Sequence, residues 1–533
     1  MDLELRRRAE AWRAVDPDPE TAAELDELLA ADDEPALEER FAGRLEFGTA
    51  GLRGALGAGP MRMNRVVVRR AAWGLVTYLL GTDEHAAQRG VLIGFDARRN
   101  SDVFAADTAR VAAALGVKAM LLPRPMPTPV LAFGITELGA AAGVMVTASH
   151  NPPQDNGYKV YLGDGAQIVP PHDVGISAEI DRAPEDVPVA PADDPLITTL
   201  GDEVLDSYLA AVRTATVTDV RVAYTPMHGV GGAVLRAAFE RAGLPPPAVV
   251  EAQFAPDPTF PTVSFPNPEE PGAMDLLLEV AVGTNADIAL ANDPDADRLG
   301  AAIPTPDGGW RRLGGDEIGW LLGDHLLSTT SGDDRLVVTT LVSSTLLGKM
   351  AEAHGVHYAE TFTGFKWIAR TVLDHPEWRF IFGYEQALGY LVAPRPLDKD
   401  GISAAVLMAE VAAAAKANGV TLQQRLDAIA QRFGRHITRE HSIRMEPADA
   451  AAAVAALQAD PPTELAGSPV TDVVWFADAG LLRLQCGPNA RAQVRPSGTE
   501  PKVKLYAEAV DEDPAPLIDA LVARLDQVAG LGR

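Results

Sequence analysis

Three aspartates, Asp293, Asp295 and Asp297, stand at alternate positions just after the apolar run ADIALAN. In an extended loop, residues two apart face the same way, so the three carboxylates converge. Anions gathered so closely repel one another unless a cation compensates them, and a hard, oxygen-seeking ion such as Mg2+ suits them best. An EF-hand is excluded, because its sixth position would be Arg298 in place of Gly and its twelfth Pro304 in place of Glu. A solvated acidic loop is the plain alternative, and the apolar strand leading in disfavours it. Arg298 follows directly, with a positive charge to offer a phosphate.

A second group lies in VMVTASHNPPQDNGYKVY, residues 144–161. An apolar strand delivers Ser149 and His150 into an Asn-Pro-Pro turn, and a second strand brings back Lys159. A hydroxyl at a strand end, beside a histidine and within reach of a lysine, is how a nucleophile is held. The same residues would also serve a hairpin whose Ser and Asn merely satisfy turn hydrogen bonds. Ala148 and Asn151 flank the pair, so this is not the G-x-S-x-G elbow of an α/β-hydrolase.

Four further stretches carry anion or sugar ligands. In RPSGTEPKVKLY, Arg495, Ser497, the Gly498 amide, Thr499 and Lys502 surround a turn with donors suited to phosphate oxygens, although Ser-Gly-Thr is also a good turn sequence. In IFGYEQALGYLV, Glu385 sits between two strand-like pieces, placed either to accept hydrogen bonds from sugar hydroxyls or to charge an edge strand. TFTGFKWIAR offers Lys366 at a turn entering a helix, and the glycine-rich FGTAGLRG offers Arg53. Basic residues placed in turns of an acidic chain suggest one anionic ligand, and a small phosphorylated metabolite is the simplest.

The elements that must hold these loops recur along the chain. VLIGFDARRNSDVFAADTARVAAALG, VRVAYTPMHGVGGAVLRAAFERAG and LVVTTLVSSTLLGKMAEAHG each read as an apolar strand, a polar turn and an amphipathic helix closed by Gly. Strands alternating with helices imply βαβ units and parallel or mixed sheets, so three similar α/β domains are expected in series. After residue 445 an alanine-rich helix, short strands and a final helix suggest a smaller α+β domain. Residues 1–42 read as acidic helical turns, and the acidic, proline-rich segment 183–195 as a surface linker between the first and second domains.

The chain has 533 residues, enough for roughly three to four domains. With 46 Lys and Arg against 74 Asp and Glu, its net charge of −28 argues against nucleic acid or an anionic membrane surface as partner. One cysteine, Cys486, allows no disulfide within the chain and fits a reducing compartment. The opening residues form no secretory signal, and no apolar run reaches the ~18 residues of a membrane helix. A cytoplasmic protein is expected.

FGTAGLRG, TASHNPPQDNGYK, DPDADR, TGFKW, GYEQALGY and RPSGTEPK, in this order, resemble the α-D-phosphohexomutases, the phosphoglucomutase/phosphomannomutase family. The resemblance spans residues 47–506. It implies three related α/β domains and a smaller C-terminal α+β domain around a central cleft. The expected division is 1–213 with the serine loop, 214–325 with the metal loop, 326–440 with the sugar loop and 441–533 with the phosphate loop. It also implies roles: Ser149 carries a phosphoryl group and shares Mg2+ with Asp293, Asp295 and Asp297. His150 and Lys159 lie beside the nucleophile, with Lys159 as general acid/base, and Arg53 and Arg298 stabilise charge. Glu385 binds the sugar hydroxyls, and Arg495, Ser497, Gly498 and Thr499 grip the phosphate that is not transferred, while Lys366 and Lys502, read above as anion ligands, are expected among the substrate-binding residues. A sugar 1,6-bisphosphate would be activator and intermediate.

One departure bears on the sugar. Two places after Glu385 stands Ala387, where many bacterial members have serine, and this resembles the longer phosphoglucomutase/phosphopentomutase branch. The expected reaction is interconversion of glucose 1-phosphate and glucose 6-phosphate by a monomer or homodimer, with mannose and pentose phosphates as alternatives. Two other classes are a Mg2+-dependent phosphatase using Asp293 as nucleophile and a catalytically silent sugar-phosphate sensor.

Overall fold

Short apolar runs and the amphipathic helices that follow them build four sheets in the computed structural model, which describes residues 2–48, 51–497 and 502–529. The chain divides into two units, Met1–Leu313 with Leu388–Asn418, and Gly314–Ala387 with Gly419–Arg533. Each has its own hydrophobic clusters.

The first unit opens with helices Leu3–Val15, Pro19–Ala30 and Glu34–Phe41. Each begins after an aspartate (Asp2, Asp18 and Asp33) whose carboxylate accepts a first-turn N–H that would otherwise lack a partner. Trp12, Leu25, Leu37 and Phe41 close a small core against Ala58 and Val66.

The first sheet runs Leu52–Ala55, Asp155–Leu162, Ala142–Val146, Val91–Phe95, Ala119–Leu121, Ile197–Thr199. Its inner strands are parallel, and Asp155–Leu162 returns antiparallel to Ala142–Val146. Val91, Ile93, Val144 and Val146 are buried with residues of helices Arg65–Thr82 and Ser101–Ala114. The proline-rich segment 183–195 departs from expectation. Val187 is buried against Ala72 and Val111, and the Ala190 N–H donates to the Arg110 carbonyl at 2.9 Å. Ile197–Thr199 then adds an edge strand to the same sheet. The Val187 side chain and the Ala190 backbone tie this stretch to the first domain, and it is no free linker.

The second sheet centres on the parallel pair Val222–Thr225 and Ile288–Ala291, with Gly300–Pro304 antiparallel at the side. Both sheets release their loops at the carboxyl ends of parallel strands, where α/β sheets characteristically bind ligands. Helix Gly401–Ala417 completes the unit beside helix Gly231–Ala242. Its buried Glu410 accepts the N–H and hydroxyl of Thr216 and pairs with Arg213.

The second unit joins three parallel strands, His357–Thr361, Arg335–Thr340 and Arg379–Glu385, to an antiparallel sheet. One face of that sheet buries Leu484, Val494, Val503 and Leu505 beneath helices Pro447–Ala459 and Ala515–Ala529. The other face is polar, because period-two alternation turns Arg491, Gln493, Glu508 and His436 the opposite way. Strands His436–Arg444 and Ala490–Pro496 carry so many charges that their sequences did not read as strands. Sheets of α/β type followed by a smaller antiparallel α+β domain match the expected fold class. Among the described residues no single helix is long and apolar enough to cross a membrane.

Candidate active site

The loop after Ile288–Ala291 is closed by one amide. Asn292 Nδ2 donates to the Arg298 carbonyl at 2.6 Å, and Asn292 Oδ1 accepts from the Tyr224 hydroxyl at 2.8 Å. Two glycines let neighbouring backbone approach it. A Cβ on Gly229 would lie 2.3 Å from Pro294, and one on Gly401 would lie 2.2 Å from the Arg298 carbonyl oxygen. The loop thereby presents Asp293, Asp295 and Asp297, all fully buried, with ligand oxygens within 4.8 Å of one another. This is the convergence that alternate spacing implied.

Ser149 is brought to the same point by the turn after Ala142–Val146. It is 3% exposed and holds φ +51, a left-handed conformation uncommon for a residue other than glycine. Its N–H donates to Thr147 Oγ1, and its Oγ donates to Asp293 Oδ2 at 2.8 Å and lies 3.1 Å from His150 Nδ1. From the antiparallel strand, Lys159 Nζ donates to Asp295 Oδ2 at 2.7 Å and to Asp297 Oδ2 at 2.8 Å. Arg298 gives its backbone N–H to Asp293 Oδ1, and Arg53 Nη1 donates to Asn151 Oδ1 in the serine turn. Ser149, His150, Lys159, Arg53, Arg298 and the aspartate trio therefore lie together in the first unit.

The charges arrange themselves accordingly. Burial, and then the neighbouring Asp295 and Asp297, push the Asp293 carboxyl well above its ordinary range. Burial would do the same to Asp297, but Lys159, followed by Lys399 and Arg298, holds it far below. Burial opposes the Lys159 charge, and Asp295 and Asp297 override it. His150 is pushed well below its usual value by burial and by Arg298 and Arg53, which favours the neutral ring. Asp295 Oδ1 and Asp297 Oδ1 are buried without hydrogen-bond partners. Hard carboxylate oxygens that converge, with two of them unsatisfied, fit a divalent cation such as Mg2+.

Two residues of this centre were not foreseen. Lys399 Nζ lies 3.4 Å from Asp297 Oδ2, and Thr128 Oγ1 donates to Asp295 Oδ2 at 2.6 Å. Lys399 precedes Asp400, which caps helix Gly401–Ala417 by accepting the N–H groups of Ile402 and Ser403. The signal was present as Asp-Lys-Asp-Gly before an apolar helix, a cap pattern with a lysine inside it. Thr128 opens a helix behind Met-Pro-Thr-Pro, and nothing in that run marks it as facing a carboxylate.

The remaining expected residues lie in the second unit. Glu385 ends strand Arg379–Glu385, and its Oε2 is buried without a hydrogen-bond partner. Lys366 stands in the first turn of helix Phe365–Asp374. Arg495 is paired in register with Lys504 and faces the buried Tyr506 hydroxyl, whose pKa burial raises. Ser497 N–H donates to the Lys502 carbonyl at 2.8 Å. Gly498 and Thr499 lie outside the described residues.

Comparison with known proteins covers nearly the whole chain. Family models described as phosphoglucomutase/phosphomannomutase match in succession, with alpha/beta/alpha domains I, II and III at residues 44–186, 203–308 and 314–433 and the C-terminal domain at 441–525. A Haemophilus influenzae protein named "Probable phosphomannomutase" is 44% identical over 482 residues, 88% of this chain and 97% of that one. Human phosphopentomutase is 38% identical over 468 residues, 82% of this chain and 76% of that one. A phosphoglucomutase/phosphomannomutase family protein from Burkholderia thailandensis has a similar fold, with TM-score 0.72 at 20% identity, covering 91% of this chain and 98% of that one.

Proposed function

Given that the chain belongs to the phosphoglucomutase/phosphomannomutase family, we propose that it moves a phosphoryl group between two hydroxyls of one aldose by way of Ser149. The observation that carries the reading is Ser149 Oγ, 2.8 Å from Asp293 Oδ2 inside a buried carboxylate trio. An isolated serine hydroxyl has no need of three anions. A serine that becomes a phosphate ester, with a charge of about −1.5 to −2, needs a strong counter-charge beside it, which a divalent cation held by the trio would supply.

In the resting enzyme Ser149 carries the phosphoryl group. A free hydroxyl of the bound sugar phosphate attacks the phosphorus, the bond to Ser149 Oγ breaks, and a sugar bisphosphate results. After reorientation Ser149 Oγ attacks the other phosphate and regains a phosphoryl group, leaving the isomerised monophosphate. Lys159 and His150 hold or receive the proton at Ser149 Oγ and the sugar oxygen, while Arg298 and Arg53 offer positive charge to the phosphoryl oxygens. Positioning and charge compensation carry most of such a reaction. Mg2+ held by Asp293, Asp295, Asp297 and the Ser149 oxygen would neutralise the equatorial oxygens and relieve Lys159 of compensating the aspartates. In the second unit Glu385 accepts sugar hydroxyls, Lys366 supports them, and Arg495, Ser497, Gly498, Thr499 and Lys502 grip the phosphate that stays.

Glucose 1-phosphate and glucose 6-phosphate are the proposed pair. Pentose phosphates are the second reading, favoured by Ala387 in the sugar loop and by the similarity to a phosphopentomutase. Against a phosphatase acting through Asp293, both oxygens of that carboxylate are already engaged, by Ser149 Oγ and the Arg298 N–H. The buried thiol of Cys486 is consistent with a reducing, cytoplasmic setting.

The test is an assay with Mg2+, a trace of glucose 1,6-bisphosphate and glucose 1-phosphate, with parallel arms for mannose 1-phosphate and ribose 1-phosphate. Formation of the isomeric phosphate in at least one arm is expected. Stoichiometric release of inorganic phosphate would favour the phosphatase, and binding without turnover a sensor; either would overturn the proposal.

A further inference from the structure

The left-handed backbone at Ser149 is disfavoured for a residue with a side chain, so its surroundings must enforce it. One side chain spans the turn. Arg98 follows strand Val91–Phe95, is 4% exposed, and directs its guanidinium into the ring of carbonyls that the serine turn forms. Nη2 donates to the Ser149 carbonyl at 2.6 Å and the Asn151 carbonyl at 2.5 Å. Nη1 donates to the Pro152 carbonyl at 2.8 Å and the Asp155 carbonyl at 3.2 Å. The fork is itself fixed. Asp96 lies 3.4 Å from Arg98 Nε, accepts the Arg98 N–H at 2.9 Å and accepts the Ser101 hydroxyl at 2.7 Å. The guanidinium also lies 5.0 Å from the Phe260 ring centroid.

We propose that Arg98 is a positioning residue: anchored by Asp96, it holds the carbonyls of residues 149–155 and thereby aims Ser149 Oγ at the aspartate trio. It does not touch the reacting atoms. Only a planar group with five fixed donors can serve four carbonyls in this way, and an ammonium on a flexible stem cannot. Such an arrangement matters for phosphoryl transfer, because a misplacement of about 1 Å at the reacting oxygen costs roughly 100-fold in rate. The proposal rests on Ser149 being the phosphoryl carrier.

The test compares wild type with Arg98→Lys, which keeps the buried charge and removes the fork. In the full-length, Mg2+-loaded protein, kcat should fall roughly 100-fold while KM for the sugar phosphate stays within about threefold. Amide hydrogen exchange should rise across residues 147–156 and stay unchanged in strand Val91–Phe95. Asp96→Asn keeps Arg98 and loosens its anchor, so it should show the same split at about a tenfold loss, and it supplies the reading should Arg98→Lys not fold. A kcat within about threefold of wild type in both variants overturns the proposal. So does exchange that rises equally throughout the first sheet, which marks a scaffold residue only. The exchange arm needs no substrate. A wild type that isomerises no phosphosugar defeats the functional reading, while unchanged exchange at 147–156 defeats the clamp whatever the substrate.

Discussion

Two buried clusters of carboxylates and cations, one in each unit, follow opposite rules. In the first unit Asp293, Asp295 and Asp297 meet Lys159, Lys399 and the Ser149 hydroxyl, and Asp295 Oδ1 and Asp297 Oδ1 are left without hydrogen-bond partners. In the second unit, Glu508 Oε1 accepts from the Ser344 hydroxyl at 2.6 Å and the Thr345 N–H at 3.0 Å and lies 2.8 Å from His436 Nδ1. Its Oε2 accepts Arg491 Nε at 2.9 Å. Arg491 also donates to the carbonyls of Leu341 and Ser343, and Gln493 reaches Leu341 as well. Both clusters are buried and charged, but only the second is complete. A finished network holds two domains of the second unit together, whereas the unfinished one keeps carboxylate oxygens that could hold a metal ion. Since a buried polar group left unpaired costs roughly 1–3 kcal/mol, two such oxygens converging on one point, as at Asp295 and Asp297, suit the first cluster to a cation.

The difference implies that the first cluster should lose function when altered and the second should lose stability. Ser149→Ala should reduce mutase turnover on the order of 10⁴-fold or more while leaving the unfolding midpoint unchanged. Intact-mass spectrometry should find a phosphorylated species in wild type alone; full activity in the variant would remove Ser149 from the mechanism. Glu508→Gln should do the reverse. Removing one partner of a buried ion pair costs about 3–5 kcal/mol, so chemical denaturation should show that loss, while Mg2+ affinity measured by calorimetry stays at the wild-type value. A variant that unfolds like wild type would mean that the Glu508 network holds nothing together.

The next effect is smaller and depends on pH. Asp316 accepts the Ser344 N–H and the Tyr384 hydroxyl on Oδ1 and the Thr438 hydroxyl on Oδ2. Burial, with Glu508 nearby, raises its pKa to about 6, although those hydrogen bonds pull the other way. Burial also works against Glu508, but Arg491, then His436 and Ser344, hold it at about 2. The signs therefore differ. A raised folded pKa means that the protonated form suits the fold, so the Asp316 contribution is present below about pH 4 and is lost as pH rises through 6. The Glu508 contribution is present above the ordinary Glu pKa and is lost only as pH falls towards 2, outside that window. Lowering pH from 7 to 5 should thus stabilise wild type relative to Asp316→Asn by on the order of 1 kcal/mol. An offset between the two that is equal at both pH values would refute this.

The first cluster was legible in the sequence because its geometry is local. Alternate aspartates after a buried strand must converge, and Ser149, His150 and Lys159 lie on one hairpin. Lys399 and Thr128 arrive from elsewhere in the chain and become visible only when the fold brings them to Asp297 and Asp295. The second cluster was opaque for the same reason. Glu508, Arg491 and His436 come from three strands, and only their register brings them side by side. Strand His436–Arg444 was hidden altogether, since a strand with one face on a polar interface has too few apolar residues to show its period. In segment 183–195 the prolines and acidic residues dominate the pattern and outweigh Val187, the buried side chain that fastens it to the first domain.

The smallest effect tests the comparison most directly. Among the trio, Asp293 makes no direct contact with a lysine: Lys159 bridges Asp295 and Asp297, and Lys399 lies near Asp297. Asp293 instead accepts the Ser149 hydroxyl on one oxygen and the Arg298 N–H on the other. An asparagine can keep both contacts, with Oδ1 still accepting from Arg298 and Nδ2 donating to Ser149 Oγ, which is able to accept. Asp293→Asn therefore removes one of three mutually repelling anions and orphans nothing new. In chelator-treated protein it should raise stability by about 1 kcal/mol, a gain typical of relieving a strained functional site, although it weakens Mg2+ binding and abolishes most turnover. The equivalent change in the completed cluster, Glu508→Gln, moves stability in the opposite direction. Should Asp293→Asn prove less stable than wild type without metal, the trio would be part of the scaffold, and the distinction between unfinished and finished clusters would fail here.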